Sequence, residues 1–162
     1  MIDAFIAALE ADGGQGARVA DVAEARAYVA ALLGGDATLC FWSGDALVTS
    51  LDPASLGRVT APAEAGAGIT GADFGVASTG TLVLTYGAGR WRTTGLLPDL
   101  HIALLPADRI VATLDEAVAR VYSGEVPRAM TLVTGASATT DIEKIRVVGA
   151  HGPRQVAAVI VG

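Results

Sequence analysis

Ile2, Phe5, Ile6 and Leu9 recur at helical spacing, so the pattern predicts a helix over residues 1–11, stopped by Gly13-Gly14. A second helical pattern over residues 19–33 sets Val22, Ala25, Tyr28, Val29 and Leu32 on one side. Asp21 followed by Glu24 has the form of a capping box, and Gly34-Gly35 closes the segment. The period then shortens. Residues 37–42 and 46–50 read as short β runs around the turn Ser43-Gly44-Asp45. Pro53, Gly57, Pro62, Gly66, Gly68 and Gly71 punctuate the next stretch, which reads as loop with at most a short strand around 58–60.

Phe74–Ala77 is a short apolar run, and Leu82–Tyr86 reads as a strand before the turning glycines Gly87 and Gly89. His101–Leu105 is continuously apolar after its first residue, the signature of a strand buried on both faces. Pro106 and Asp108 open a predicted helix over 108–122, with Ile110, Leu114, Val118 and Val121 inward. Met130–Thr134 reads as another buried strand, followed by a helical segment beginning near Asp141. Gly152-Pro153 breaks the chain before a last strand, Val156–Val161. Strands alternating with helices in the second half predict βαβ units and a mainly parallel sheet. The expected class is α/β: one domain over 1–162, with residues 1–35 as a helical segment packed on it.

Composition supports a packed core. Apolar residues make up 52% of the 162 and charged ones 17%, the reverse of a disordered chain. The net charge of −6, from 17 acidic and 11 basic residues, leaves no basic face for phosphate neutralisation, so nucleic acid is not an expected partner. Arg90 and Arg92 flank Trp91 without extending into a stripe. Cys40, the single cysteine, lies in the apolar run Thr38–Trp42 and reads as a small buried hydrophobe. Alone, it offers neither an internal disulfide nor the ligand set of an iron–sulfur cluster. The start Met1-Ile2-Asp3 lacks a basic leader, and no apolar run reaches the ~18 residues of a membrane span, so the chain reads as cytoplasmic without membrane insertion.

Neither a GxGxxG fingerprint nor a GxxxxGK[ST] loop is present. Gly135-Ala136-Ser137-Ala138-Thr139 approaches a nucleophile elbow but ends in Thr where Gly is needed. Ser137 with His151 as base is conceivable, though no spacing places the two together. Two segments suit ligand binding better. In Thr134–Glu143 a strand enters a turn and then a helix, so Gly135, Ser137, Thr139, Thr140 and Asp141 surround free N–H groups suited to a carboxylate or phosphate. Plain capping explains Thr140 and Glu143 equally well. In Ser78-Thr79-Gly80-Thr81, Gly80 permits a close backbone approach, or simply a bulge. His101 and His151 are too few for a metal site. His101 beside Asp99 reads as hydrogen-bonded core, and His151 as an exposed, titratable turn residue.

Gly80–Leu84, Leu96–Ile102, Thr139–Glu143 and Gly149–Pro153, in that order, resemble the blocks of the LUD domain, the lactate-utilisation protein C family, across roughly residues 70–162. The resemblance implies a Rossmann-like fold similar to the sugar-phosphate isomerase and CoA-transferase superfamily. It also implies a place beside partner proteins bearing iron–sulfur clusters, in oxidation of L-lactate to pyruvate, with no cofactor on this chain. The alternative is an independent enzyme or binding module for a small anion: a carboxylate, a sugar phosphate or a CoA-type ligand. Ser78, Ala136 and Ala138 depart from the family pattern, which often has an acidic residue at the first position and an arginine near the last.

Overall fold

Helix α1, Ile2–Ala11, follows its periodicity and buries Phe5 and Leu9. Strand β1, Gln15–Val19, comes next, so the N-terminal segment is not wholly helical. The second helix, α2, begins only at Val22 and runs to Leu33. Asp21 accepts from the Glu24 amide at 2.9 Å and Glu24 accepts from the Ala20 amide at 2.8 Å, the reciprocal capping expected. The computed structural model describes residues 1–34, 39–61, 63–87, 89–139, 147–149 and 151–162. The remaining elements are β2 (Leu39–Trp42), α3 (Ala46–Ser50), β3 (Arg58–Val59), β4 (Ala67–Gly71), β5 (Phe74–Val76) and β6 (Thr81–Tyr86). They are followed by α4 (Thr93–Leu96), β7 (Leu100–Pro106), β8 (Ile110–Val111), α5 (Leu114–Val121), β9 (Ala129–Val133), β10 (Ala138–Thr139), β11 (Val147–Val148) and β12 (Gln155–Val161).

The fold is α/β. Six parallel strands form the main sheet in the order β1-β12-β7-β4-β2-β3. Because side chains alternate across a strand, β7 and β12 divide their apolar residues between two cores. Ile102, Leu104 and Val159 pack with Ala25, Val29 and Val48 of α2 and α3. Ala103, Leu105, Ala158 and Ile160 pack with Phe5 and Leu9 of α1 and with Leu82 and Leu84 of a second sheet. That sheet has the order β8-β5-β6-β9, with β5–β6 and β6–β9 antiparallel. The expected parallel units thus hold for β7 and β12, whereas β5, β6 and β9 separate into a layer over one face.

Several local readings change. Residues 46–50 form helix α3 rather than a strand: the run is short, and only Val48 is buried in it. The glycine-rich stretch read as loop contains β4, buried throughout. Gly68 is a packing residue there, since a Cβ would overlap the Thr94 carbonyl of α4 and lie 3.0 Å from Pro98. The predicted helix over 108–122 divides, because Ile110–Val111 pair with β5 and Thr113 restarts the chain as the cap of α5. Strand β9 is an edge strand with Leu132 43% exposed, not a buried one. The helix expected near Asp141 lies outside the described residues, and the Cys40 side chain is likewise outside the description.

Candidate functional site

The two turns singled out in the sequence are neighbours. Thr79 Oγ1 lies 2.8 Å from Thr81 Oγ1, which lies 2.6 Å from Thr134 Oγ1, so a chain of hydroxyls ties the β5–β6 turn to the end of β9. Gly80 (φ +65°) and Gly135 (φ +68°) both take the left-handed conformation that favours glycine. A Cβ on Gly80 would overlap the Leu9 backbone, and one on Gly135 would overlap the Asp12 carbonyl. The close approach that Gly80 permits is therefore made to α1. These glycines seat the first helix beneath the site.

Ser137 and His151 are also brought together. The Ser137 amide donates to the Pro153 carbonyl at 2.9 Å, and the Gly149 amide donates to the Ser137 carbonyl at 2.7 Å. These bonds continue the antiparallel pairing of β10 with β11 and hold the Ser137 segment beside Gly152. Both side chains border one cavity, but no hydrogen bond joins them, so the geometry is not that of a nucleophile with its base. Thr139 falls in β10, while its side chain and residues Thr140 and Asp141 are outside the description.

The cavity measures about 370 Å³ and lies between β9 with its following turn, the 151–153 turn, and α4. His101, near the start of β7, borders its inner part. The imidazole is buried, with Nε2 2.8 Å from Thr70 Oγ1 and Nδ1 without a partner. Burial pushes its pKa down to about 4, so the ring is neutral near pH 7 and can donate or accept according to tautomer. The expected core hydrogen bond exists, but Asp99 does not supply it: that carboxylate sits 3.6 Å from Arg154 at the surface. Nothing in the sequence pattern signalled that His101 would border a cavity.

This cavity sits at the amino ends of β7 and β12. Around the carboxyl ends of β2 and β4, where α/β sheets commonly bind ligands, the chain instead builds a clasp. Arg90 Nε is 2.7 Å from Asp45, Nη1 is 2.8 Å from Asp73 and 3.1 Å from Thr85 Oγ1, and Nη2 donates to the Gly71 carbonyl at 3.1 Å. Asp45 also accepts from Ser43 Oγ and from the Gly71 amide. Burial alone lowers the Arg90 pKa, but Asp73 and Asp45 outweigh it and the net shift is upward. All three guanidinium nitrogens are engaged, which suits a rivet better than a ligand contact. Sequence reasoning missed this cluster because its members come from four separate segments.

Beside the clasp, Trp91 stacks on Phe41 with centroids 5.9 Å apart and planes 18° apart. Trp91, Arg92 and Arg128 border a shallow groove that adjoins the cavity at Tyr86 and Arg92. Among the described residues no three His, Cys, Asp or Glu side chains converge as a metal site. No helix there is long and apolar enough to cross a membrane.

An α/β scaffold with a cavity of mixed polar and apolar lining against an antiparallel layer is the class this geometry defines. The LUD domain matches residues 62–161, and the chain belongs to that family. Lactate utilization protein C of Deinococcus radiodurans is 40% identical over 96 residues, covering 58% of this chain and 45% of the relative. Proteins of the same name from Halalkalibacterium halodurans and a Geobacillus species are 36% identical over 103 residues and 33% identical over 127 residues. Those matches cover 60% and 74% of this chain, and 45% and 53% of the relatives. The chain thus spans about half the length of the curated relatives it matches. The fold is also that of a crystal structure of a DUF162 family protein from Deinococcus radiodurans at 1.70 Å resolution. That likeness has a TM-score of 0.73 and 24% identity over 99% of this chain and 95% of the other.

Proposed function

We propose that this chain is a subunit of a lactate-oxidising assembly, itself without a redox cofactor, working beside partners that carry iron–sulfur clusters. The observation that carries the reading is the LUD domain match over residues 62–161, joined by relatives named Lactate utilization protein C. The residues bordering the cavity, from Tyr86 to Pro153, all fall inside the matched stretch. Cys40 is the only thiol among these 162 residues, too few for a thiolate-bound cluster, which supports placing such a centre on a partner. In this reading residues 1–162 act as one LUD-like unit of a cytoplasmic complex.

The test is genetic and biochemical together. A deletion strain grown on L-lactate as carbon source is expected to grow poorly and to recover when the gene is restored. A tagged copy purified from lactate-grown cells is expected to bring down an iron–sulfur protein at near-equal yield. Normal growth of the deletion strain, or recovery of the tagged chain alone, would overturn the assembly reading.

A further inference from the structure

Trp91 is held in place on both sides along the chain. Arg90 before it is pinned by Asp45, Asp73, Thr85 and the Gly71 carbonyl, and its amide donates to the Gly87 carbonyl at 3.2 Å. After it the chain turns into α4, and the Thr94 amide donates to the Trp91 carbonyl at 3.1 Å. Phe41 stacks on the indole, yet Trp91 stays 56% exposed. An aromatic side chain ordered this firmly in solvent is pre-organised for a contact outside the fold, because little freedom is left to lose on binding. Leu96 and Leu97, at the end of α4, are 48% and 51% exposed. The groove beside Trp91 takes in Tyr86, Arg92 and Arg128. Both of these arginines are exposed and lack an ion pair among the described residues, and no Asp or Glu among them borders the groove. A chain of net charge −6 thus carries a locally positive surface here. Trp, Tyr and Arg are the side chains enriched where proteins bind proteins, and they often dominate the energy of such contacts. The groove, about 700 Å³ and open to solvent, suits a length of chain better than an enclosed small molecule.

We propose that this groove docks a partner protein through a segment in which Asp or Glu flanks an apolar side chain. The apolar residue packs on Trp91, and the carboxylates meet Arg92 and Arg128 separately. Exposed ion pairs contribute little each, so Trp91 is the anchor while the arginines select the sign of the partner and speed its approach. The Arg90 clasp then serves docking as well as stability, since it fixes the residue next to the anchor. Two copies of this acidic chain repel each other, and so do this chain and a single-stranded nucleic acid that could stack on the indole. The inference rests on the assembly reading for the partner's identity, the iron–sulfur protein, and adds where on this chain it sits and by what chemistry.

The test uses the tagged full chain purified from lactate-grown cells. Trp91→Ala, and Arg92→Glu combined with Arg128→Glu, are each expected to lower the yield of the co-purified iron–sulfur protein about tenfold. Trp91→Phe, which keeps an aromatic ring against Phe41, is expected to retain most of it. Arg18→Glu, on the edge strand β1 across the main sheet from β2, is expected to leave the yield unchanged. Thermal melting of each variant separates loss of docking from loss of fold. Benzoylphenylalanine placed at position 91 and irradiated is expected to cross-link to a peptide of the iron–sulfur protein that holds Asp or Glu beside an apolar residue. Cross-linking to a second copy of this chain, to nucleic acid or to a peptide without carboxylates would overturn the proposal. Equal recovery of the partner by the unaltered chain and by the folded Trp91→Ala and double arginine variants would overturn this inference alone. Recovery of no iron–sulfur protein by the unaltered chain would overturn the assembly reading and this inference with it.

Discussion

Acidification toward about pH 5 asks the fold to accept a proton on an imidazole that has no room for its charge. His101 is buried and pushed down to about 4 from an ordinary 6.5, and desolvation is the cause. Its surroundings give no relief. Thr70 on β4 offers a hydroxyl and Gly95 on α4 packs on the ring, while the other charged or titratable groups bordering the cavity among the described residues are Tyr86, Arg92 and His151. Because the folded pKa is lowered, the unfolded chain takes up the proton first. Stability is therefore intact above the unfolded value and falls as pH drops from 6.5 toward about 4. The two values imply a loss of about 2 kcal/mol by about pH 5 and about 3 kcal/mol by about pH 4. Carboxylates elsewhere also titrate in this range, so the measurement is a difference. Urea unfolding of the wild type and His101→Gln is followed across the pH series, glutamine retaining a polar group for Thr70. The variant is expected to start less stable and to lose about 2 kcal/mol less than the wild type between about pH 7 and pH 5. Parallel losses in the two proteins would refute the reasoning, as would an NMR titration of the His101 ring with its midpoint near 6.5.

Gly80→Val is expected to destabilise by about 3 kcal/mol or more, since a β-branched residue would combine left-handed backbone strain with overlap on the Leu9 backbone. A melting curve matching the wild type would show that α1 is not seated there. Arg90→Met leaves Asp45 and Asp73 facing each other's side of the clasp without a cation and is expected to cost about 2 kcal/mol, allowing for their partial exposure. Chemical denaturation checks it, with Arg154→Met as the comparison, expected within about 0.5 kcal/mol of wild type because its pair with Asp99 is exposed. Equal effects of the two substitutions would remove the clasp from the list of stabilising features.

What the chain by itself determined is what short-range pattern can encode. Helical spacing placed α1, the Asp21/Glu24 pair placed the start of α2, and unbroken apolar runs placed β7 and β12. The blocks from Gly80 to Pro153 pointed to the family that the LUD domain match bears out. Glycine at 80 also announced close approach, without saying to what. Tertiary structure decided that: the neighbour is α1, which packs against the turns from seventy or more positions away in the chain. It likewise turned Ala67–Gly71 into a buried strand, because glycine read locally as a breaker is the one residue that lets α4 lie against the sheet at position 68. The Arg90 clasp and the cavity draw on residues scattered from Asp45 to His151, none with a spacing that signals its partners. Periodicity reports which face of one element is buried. Which polar groups then meet across elements depends on the sheet order and on the antiparallel layer laid over it, and those arise only when distant segments pack.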